Sequence, residues 1–282
     1  MSLDFLLGKQ NSDGGWPYVR GVSWTEPTVY AVLALLSAGT REPAERGLRW
    51  IQSLQRPDGG WSTQAAIPDS AWVTALVALL PPPAIGARAH SKAIHWLATV
   101  QGEESTPLYH LREWLLGNPR PPELEFPGWP WVRGTAAWVG PTALAILALE
   151  KACGDRDHPD LKRRIDSGRK FLLRHMCHEG GWNHGSVRAL GYESRPYPEI
   201  TGLALAAFRG VRTPEIDRSL TTARTFFSEC RSADAFNWLR FGLIAHGSLP
   251  QGRCTAQPRT ISETALDMLA RAAQEGRNVL WE

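Results

Sequence analysis

The chain has 282 residues, of which 43% are hydrophobic and 21% are charged, so wholesale disorder is not expected. Its 31 basic and 28 acidic residues give a net charge of +3, without a dense run of lysine and arginine. Nucleic-acid binding is therefore not expected. Thirteen tryptophans are unusual at this length, and several of them lie in a repeated motif.

The N-terminal residues and the cysteines bear on cellular location. The first 15 residues lack the basic and apolar regions of a secretory signal, and no stretch reaches the ~18 apolar residues that a membrane span requires. The four cysteines, Cys153, Cys177, Cys230 and Cys254, form no Cys-x-x-Cys pair. These features predict a cytoplasmic protein with reduced thiols.

A repeated motif organises the sequence. Gln10 begins QNSDGGW and Gln55 begins QRPDGGW, so that Trp16 and Trp61 lie 45 positions apart. A period of this size is typical of helical repeat architectures. Each unit has an amphipathic helix, a Gly-Gly-Trp turn or a degraded form of it, a connector and an apolar helix. The units and a final helix cover residues 4–39, 44–80, 91–152, 165–210, 218–247 and 260–276.

The two kinds of helix differ in how apolar residues are distributed around them, as expected for an outer and an inner layer. In residues 44–55, Leu48, Ile51 and Leu54 share one face opposite polar residues, which predicts an outer helix. Residues 28–36 and 142–149 are apolar nearly all round, as expected of helices buried on several sides. We therefore predict an all-α protein in which outer helices surround inner helices.

The Asp-Gly-Gly-Trp turn is interpreted as structural. Glycine permits the positive φ at which helices commonly end, aspartate can bind local backbone amides, and the tryptophan ring can cover the joint. Gln10 and Gln55 can reach unpaired amides of a neighbouring unit. Residues repeated in successive units support the structure that all units share, so no catalytic role is expected for them.

The Gln-x-x-Asp-Gly-Gly-Trp signature, followed by a connector and a Thr-initiated apolar helix, resembles the repeat of the squalene–hopene and oxidosqualene cyclases. That superfamily includes the protein prenyltransferase β-subunits. The resemblance covers about residues 3–275 and implies an α/α toroid, a double ring of about five to six helix pairs. It implies one toroid domain over residues 1–282, with an insertion at about 102–127 that could cap a central cavity.

In this family the reacting groups lie at the N-terminal ends of inner helices, where acid-initiated cyclases carry Asp-x-Asp-Asp-Thr. Aligned on the threonine, Glu26 in WTEPT takes the position of the central acid, and Glu199 in YPEIT takes the same position. Glu263 lies one step later in the final helix, and no Asp-x-Asp-Asp occurs. Glu26 and Glu199 are thus the candidate catalytic acids, although an acid in the first turn also complements the helix dipole.

Aromatic side chains at the starts of inner helices are the candidate substrate-binding residues. The face of a ring can stabilise a carbocation by ~2 kcal/mol when both are desolvated. Ordinary core packing is the competing interpretation for each ring. Six rings hold suitable positions: Trp24, Tyr30, Trp72, Trp138, Tyr197 and Trp238.

No metal site and no cofactor are predicted. The prenyltransferases bind zinc through an Asp-x-Cys pair and a distant histidine, and the sequence has no Asp-x-Cys. His175, Cys177 and His178 lie close in the chain, but adjacent residues cannot easily face one ion. Arg188 and Arg195 could meet an anionic head group, or could simply be solvated.

These features favour a metal-independent, acid-initiated isoprenoid (terpene) cyclase, whose partner would be an apolar small molecule and which could contact a membrane peripherally. No protein partner is predicted. The alternative is a non-catalytic toroid that binds a lipid or a peptide, because both the Asp-x-Asp-Asp acid and the zinc triad are missing. A carbohydrate-active toroid would need two carboxylates about 5–9 Å apart, for which Glu26 and Glu199 are the candidate pair.

Overall fold

The computed structural model describes residues 2–117, 126–154, 156–185, 188–189, 192–252 and 254–281. The described residues form thirteen α-helices, none of which is long and apolar enough to cross a bilayer. The helices are α1 Ser2–Leu7, α2 Thr25–Ser37, α3 Arg41–Ser53, α4 Val73–Ala78, α5 Pro82–Ile85, α6 Ala87–Thr99, α7 Pro107–Leu115, α8 Val139–Cys153, α9 Pro159–Arg174, α10 Pro198–Ala207, α11 Pro214–Glu229, α12 Ala233–Ala245 and α13 Ile261–Gln274.

Other regular structure is minor. A single 3₁₀ turn occurs at Glu103–Ser105. Two antiparallel pairs of two-residue strands join β1 (Trp129–Pro130) to β2 (Ala137–Trp138), and β3 (Arg188–Ala189) to β4 (Tyr192–Glu193). The prediction of an all-α protein is therefore confirmed.

Six helices form a closed inner ring. Each contacts the next in the order α2, α4, α8, α10, α12 and α13, and α13 contacts α2. Residues 28–35 of α2 and 139–149 of α8 are all buried, as their uninterrupted apolar sequences predict. The toroid implied by the resemblance is thus confirmed.

Five outer helices surround this ring. Helix α3 packs against α2, α6 against α4 and α8, α9 against α8, α11 against α10 and α12, and α1 against α13. In the chain, each of the five outer helices precedes an inner helix. The sixth inner helix, α13, packs against α1, but no outer helix directly precedes it among the described residues. The described residues between α12 and α13 contain no helix.

A tryptophan closes each of the first four turns between an outer and an inner helix. All four indoles are buried, and each indole N–H donates to a carbonyl at the end of the preceding outer helix. Each tryptophan backbone N–H donates to a threonine hydroxyl in the next inner helix, at 2.8–3.0 Å. Burying a ring of this size contributes roughly 4–6 kcal/mol. The four are Trp16, Trp61, Trp129 and Trp182.

Glycine and aspartate act in the turn as predicted. Gly14 has a φ of +94°, and a Cβ there would lie 2.6 Å from the carbonyl oxygen of Arg46. The Asp13 carboxylate accepts from the backbone N–H of Gly15 at 3.0 Å and from the indole N–H of Trp50 at 3.1 Å. The turn therefore anchors the next outer helix.

The motif glutamines differ from the prediction in one respect. Gln10 Nε2 donates to the carbonyl oxygens of Gly14 and Pro43, each at 2.9 Å. Gln55 Nε2 makes the equivalent bonds to Gly59 and Ala89. The side-chain amide thus bonds one carbonyl of the turn and one carbonyl of the next outer helix, and not unpaired amides. At Gln10, the amide oxygen accepts from the Arg46 guanidinium instead, which leaves the N–H₂ group to face the carbonyls.

The N-terminal ends of the inner helices meet at one end of the ring, in a surface that we call the rim. The rim comprises connectors 17–24, 62–72 and 131–138, the described part of 183–197, and the first turns of all six inner helices. Backbone hydrogen bonds of 2.9–3.0 Å link successive connectors: Thr25 N to Thr63 O, Trp72 N to Trp131 O, and Val139 N to His184 O.

The C-terminal residues cover the opposite end of the ring. Leu280 is fully buried, Lys151 Nζ donates to Val279 O at 2.6 Å, and Arg277 Nη1 donates to Ser37 O at 3.0 Å. These contacts join the tail to the ends of α8 and α2. A cavity of about 210 Å³ remains between the tail and the inner helices, lined by Leu33, Leu36 and Lys151 among others.

Side chains fill the ring below its first turns. Tyr30, Leu33, Leu76 and Leu144 are each no more than 3% exposed, which leaves no wide channel among the described inner helices. The wide central cavity implied by the resemblance is therefore not seen among the described inner helices.

The insertion begins at the rim. The backbone N–H of Glu103 donates to Thr135 O at 3.0 Å, and the Glu104 carboxylate accepts from the backbone N–H of Ala137 at 3.0 Å. Helix α7 follows and has no buried residue. Residues 118–125 of the insertion lie outside the described residues, and its role as a cap stays a prediction.

Candidate functional site

Four carboxyl groups lie in the first turns of four inner helices. Glu26, Glu199 and Asp234 are each the second residue of their helix, α2, α10 and α12, and Glu263 is the third residue of α13. The negative charges of the three glutamates all raise the pKa of Asp234, so each of them is within electrostatic reach of Asp234. The rim therefore carries an acidic cluster around Asp234.

The carboxyl group of Asp234 stays neutral to a much higher pH than an ordinary aspartate and is about half protonated near pH 7. Burial is the main cause, and the charges of Glu199 and Glu26 add to it, so that the pKa rises from 3.8 to about 7. A carboxyl group that keeps its proton near neutral pH can act as a general acid.

Glu26 is a second protonated candidate. It is partly buried, and burial raises the pKa of its carboxyl group. The phenolic O–H of Tyr18 donates a hydrogen bond to Glu26 Oε2, which partly offsets this rise in pKa. Because Tyr18 belongs to connector 17–24, this bond ties the connector to the first turn of α2.

The other two glutamates have different surroundings. Glu199 is partly buried, and its charge raises the pKa of both Asp234 and Cys230. Glu263 completes a capping box with Thr260: its carboxylate accepts from the backbone N–H of Thr260 at 3.1 Å and from that of Arg259 at 2.7 Å. Its position is therefore explained by helix capping.

Two buried rings lie beneath the acids. Tyr30 and Trp238 are 6.5 Å apart between ring centroids, in an edge-to-face arrangement. The pKa of Tyr30 is raised mainly by burial and then by the charges of Glu26 and Asp234. Of the six predicted rings, these two face each other next to the acidic cluster.

Two further predicted rings form pairs within the rim. Trp24 lies 5.5 Å from Tyr18, and Trp72 lies 5.0 Å from Trp131 with the ring planes nearly perpendicular. All distances are between ring centroids. These pairs leave aromatic surface partly exposed beside the starts of α2 and α4.

The remaining two predicted rings are exposed. Trp138 directly precedes α8, and Tyr197 directly precedes α10, where its ring lies 5.4 Å from that of His184. The core-packing interpretation therefore does not hold for these two side chains, because each belongs to an extended connector residue and not to the helix itself.

Sequence reasoning missed Asp234 and Tyr18. The fifth unit has lost both the tryptophan turn and the threonine that aligned the other acids, so SADAF gave no match. The signal available was the position itself, because Glu26, Glu199 and Asp234 are all second residues of inner helices. Tyr18 lies in a connector, where a sequence pattern does not indicate what a side chain contacts.

The sequence predicts no metal site, and it offers Arg188 and Arg195 as candidate ligands of an anionic head group. Among the described residues, no group of three or more His, Cys, Asp and Glu side chains could hold a metal ion. Arg195 is exposed, and the side chain of Arg188 lies outside the described part of the chain. The rim acids and rings thus remain the candidate site, and their roles stay predictions.

Comparisons with curated proteins point to terpene cyclases. The chain is 28% identical over 121 residues to a squalene–hopene cyclase of Zymomonas mobilis, covering 36% of this chain and 18% of that protein. It is 36% identical over 63 residues to a terpene cyclase/mutase of Nectria sp, covering 21% and 9%. The chain thus matches less than a fifth of the length of either relative. No protein-family model matches it.

Solved structures share the fold. A type II terpene cyclase from Scytonema is 17% identical with a TM-score of 0.54, covering 99% of this chain and 77% of that one. A variant of it in complex with geranylgeranyl dihydroxybenzoate gives a TM-score of 0.55 over 97% and 76%. An endo-1,4-D-glucanase from Vibrio fischeri is 11% identical with a TM-score of 0.54, over 99% and 90%. The chain is terpenoid cyclase-like in sequence and in fold.

Proposed function

We propose that this protein is a metal-independent, acid-initiated isoprenoid cyclase whose proton donor lies in the rim. The observation that carries the proposal is the carboxyl group of Asp234, which burial and neighbouring carboxylates keep protonated to about pH 7. It lies at the start of an inner helix, in the same helical position as Glu26 and Glu199. The terpene cyclase-like fold supports this reading of the site.

In the proposed reaction the acid adds a proton to a terminal C=C bond of the substrate. A C–H bond forms, the O–H bond of the carboxyl group breaks, and a tertiary carbocation remains. The electrons of the next C=C bond then form a C–C bond, and this step repeats. Loss of a proton from the last cation restores a C=C bond, so the product is an isomer of the substrate and no cofactor or oxidant is consumed.

The surrounding residues have distinct proposed roles. The rings of Tyr30 and Trp238 stabilise cationic intermediates, by ~2 kcal/mol for a desolvated ring. The carboxylate of Glu199 keeps Asp234 protonated through its charge. Glu26, bonded to Tyr18, is a second acid that can return a proton to the cluster. The exposed faces of the rim rings bind the apolar chain of the substrate.

Product analysis of variants tests this assignment. The purified chain is incubated in detergent with squalene, geranylgeranyl diphosphate or geranylgeranyl dihydroxybenzoate, and isomeric products are measured by mass spectrometry. We expect Asp234→Asn to lower turnover at least ~100-fold, the usual contribution of a general acid, and Glu26→Gln and Glu199→Gln to lower it less. Glu229→Gln, an exposed acid on α11, is the matched control. Equal turnover by Asp234→Asn and the control would contradict the assignment.

A binding module is the second candidate, and the filled ring favours it. The buried inner residues leave little room for a long chain to fold up below the rim. Saturable binding of these isoprenoids without any isomeric product would support this candidate. Release of reducing sugar from a β-1,4-glucan would instead assign a carbohydrate-active role to the acids.

We also propose that the rim and α7 contact a membrane surface, from which an apolar substrate would enter. Exposed apolar patches of this kind usually mark an interaction site. Exposed arginines on the same connectors, Arg20, Arg133 and Arg195, would meet anionic head groups. Of the 13 exposed large apolar side chains among the described residues, 11 belong to the rim, to α7 or to the residue directly after α7: Tyr18, Val19, Val22, Leu108, Leu111, Trp114, Leu115, Leu116, Val132, Trp138 and Tyr197.

A further inference from the structure

A cavity of about 550 Å³ lies outside the inner ring, between α12, α13 and a loop that includes residues 252, 254 and 256–258. Elsewhere the outer faces of the inner helices are covered by an outer helix. No outer helix precedes α13 among the described residues, and a loop takes its place. The cavity therefore occupies the position of the missing sixth outer helix.

The wall of this cavity is polar, unlike the apolar faces that the other inner helices present to their outer helices. Asn237 and Arg240, one turn apart on α12, line it and are only 1% and 5% exposed. A buried guanidinium is costly, because its charge has left water. A loop that merely replaced a helix would be expected to cover apolar side chains, so the polar wall needs another explanation.

Hydrogen bonds fix the guanidinium at the cavity wall. Arg240 Nη1 donates to Asn237 Oδ1 at 3.0 Å and to Asp267 Oδ1 at 3.3 Å, and Nη2 donates to Gln274 Oε1. Three of its five N–H groups are thus used among the described residues, and two remain. The side-chain amide N–H₂ of Asn237 adds further donors to the same wall.

The charges of the wall sum to a positive value. Asp267 lies between two arginines: its Oδ1 accepts from Arg240, and its Oδ2 lies 2.9 Å from Arg271 Nε. Two guanidinium groups and one carboxylate leave a net charge of +1 in the cavity. Burial also lowers the pKa of Arg240, and a bound anion would offset this effect.

We propose that this cavity binds a small organic anion through a carboxylate or phosphate group, held by Arg240, Arg271 and the Asn237 amide. Its volume lies within the range of about 300–1,000 Å³ that is usual for small-molecule sites. Guanidinium groups with free N–H donors suit both anionic groups. Asn237, Arg240 and Arg271 lie beyond the first helical turns that carry the rim acids, and the proposal does not depend on the proposed cyclase activity.

Titration calorimetry of the full chain tests the proposal, with inorganic phosphate, pyrophosphate and succinate as separate probes. We expect saturable binding of at least one probe, and the preferred probe distinguishes a phosphate site from a carboxylate site. Arg271→Gln should weaken this binding about tenfold, because one charge-assisted hydrogen bond is lost. The Arg271 side chain is 69% exposed, so this variant is expected to fold.

Arg224→Gln is the matched control, since Arg224 is an exposed arginine on α11 and does not line the cavity. It should bind the probe as the wild type does. The proposal is overturned if no probe binds saturably at millimolar concentration, or if Arg271→Gln and Arg224→Gln bind equally well. Arg240→Met gives a second test, and circular dichroism first establishes that it is folded.

Discussion

At the scale of single residues, the raised pKa of Asp234 follows first from burial of its carboxyl group and then from the charges of its neighbours. An acid in the first turn of a helix is normally favoured in its charged form by the helix dipole. Here burial and the charges of three glutamates act in the opposite direction and prevail, since the pKa rises to about 7. The native state therefore disfavours the charged form of Asp234, which lowers the free energy of unfolding at neutral pH, as is common for functional acids.

The raised pKa of Asp234 predicts that the stabilities of the wild type and of Asp234→Asn change differently with pH. The native state holds the Asp234 proton up to about pH 7, whereas the unfolded chain releases it near pH 4. Wild-type stability should therefore fall relative to the variant as the pH rises from 4 to 8. Between pH 4 and pH 8 we expect the free energy of unfolding of Asp234→Asn to rise by about 1–2 kcal/mol relative to that of the wild type, after allowing for partial exposure.

Urea unfolding followed by tryptophan fluorescence at pH 4.5 and pH 8 measures this difference. The exposed Glu229→Gln variant should show the wild-type profile at both values. A wild type and an Asp234→Asn variant with the same change in free energy of unfolding between the two pH values would show that Asp234 is not protonated as described.

At the scale of elements, the repeated turn was predictable because its chemistry is local. Aspartate, glycine and tryptophan lie within four residues, and the threonine follows the tryptophan 12 or 13 residues later in three units and 19 residues later in the fourth. The cavity beside α12 was not predictable, because it depends on Asp267 and Gln274 in another helix. It also depends on the lack of an outer helix before α13 among the described residues. The donor and acceptor roles of Gln10 were wrong for the same reason, since its partner lies 33 residues away.

Helix α7 differs from every other element in the exposure of its apolar residues. Leu108, Leu111, Trp114 and Leu115 are between 52% and 77% exposed, whereas the other long helices bury their apolar faces. Amphipathic helices of this kind bind at the surface of a bilayer. Its start is fixed to the rim by the bonds of Glu103 and Glu104.

We predict that the double variant Leu111→Glu/Leu115→Glu loses at least tenfold of the affinity for anionic phospholipid vesicles, measured by co-sedimentation. Burying two leucine side chains contributes about 3 kcal/mol or more, and the added charges oppose anionic lipid. Leu249→Glu is the control, because Leu249 is equally exposed but lies outside the rim and α7. Equal loss in both variants, or loss in neither, would contradict membrane contact through α7.

At the scale of the whole molecule, the closed ring determines where chemistry can occur. The sequence indicated the alternation of helices and the toroid, because burial and period are properties of each unit. It did not indicate that side chains fill the ring or that the tail covers one end, because both depend on packing between distant units. The acids and most of the exposed rings lie at the rim, the end of the ring where the inner helices begin.

The most direct measurement is the incorporation of deuterium during turnover in D₂O. Proton donation by Asp234 predicts an isomeric product that is one mass unit heavier than the substrate, labelled at the carbon where cyclisation starts. Asp234→Asn should yield neither product nor label. A cyclised product without deuterium would mean that the reaction does not begin with protonation, and would contradict the account of the rim.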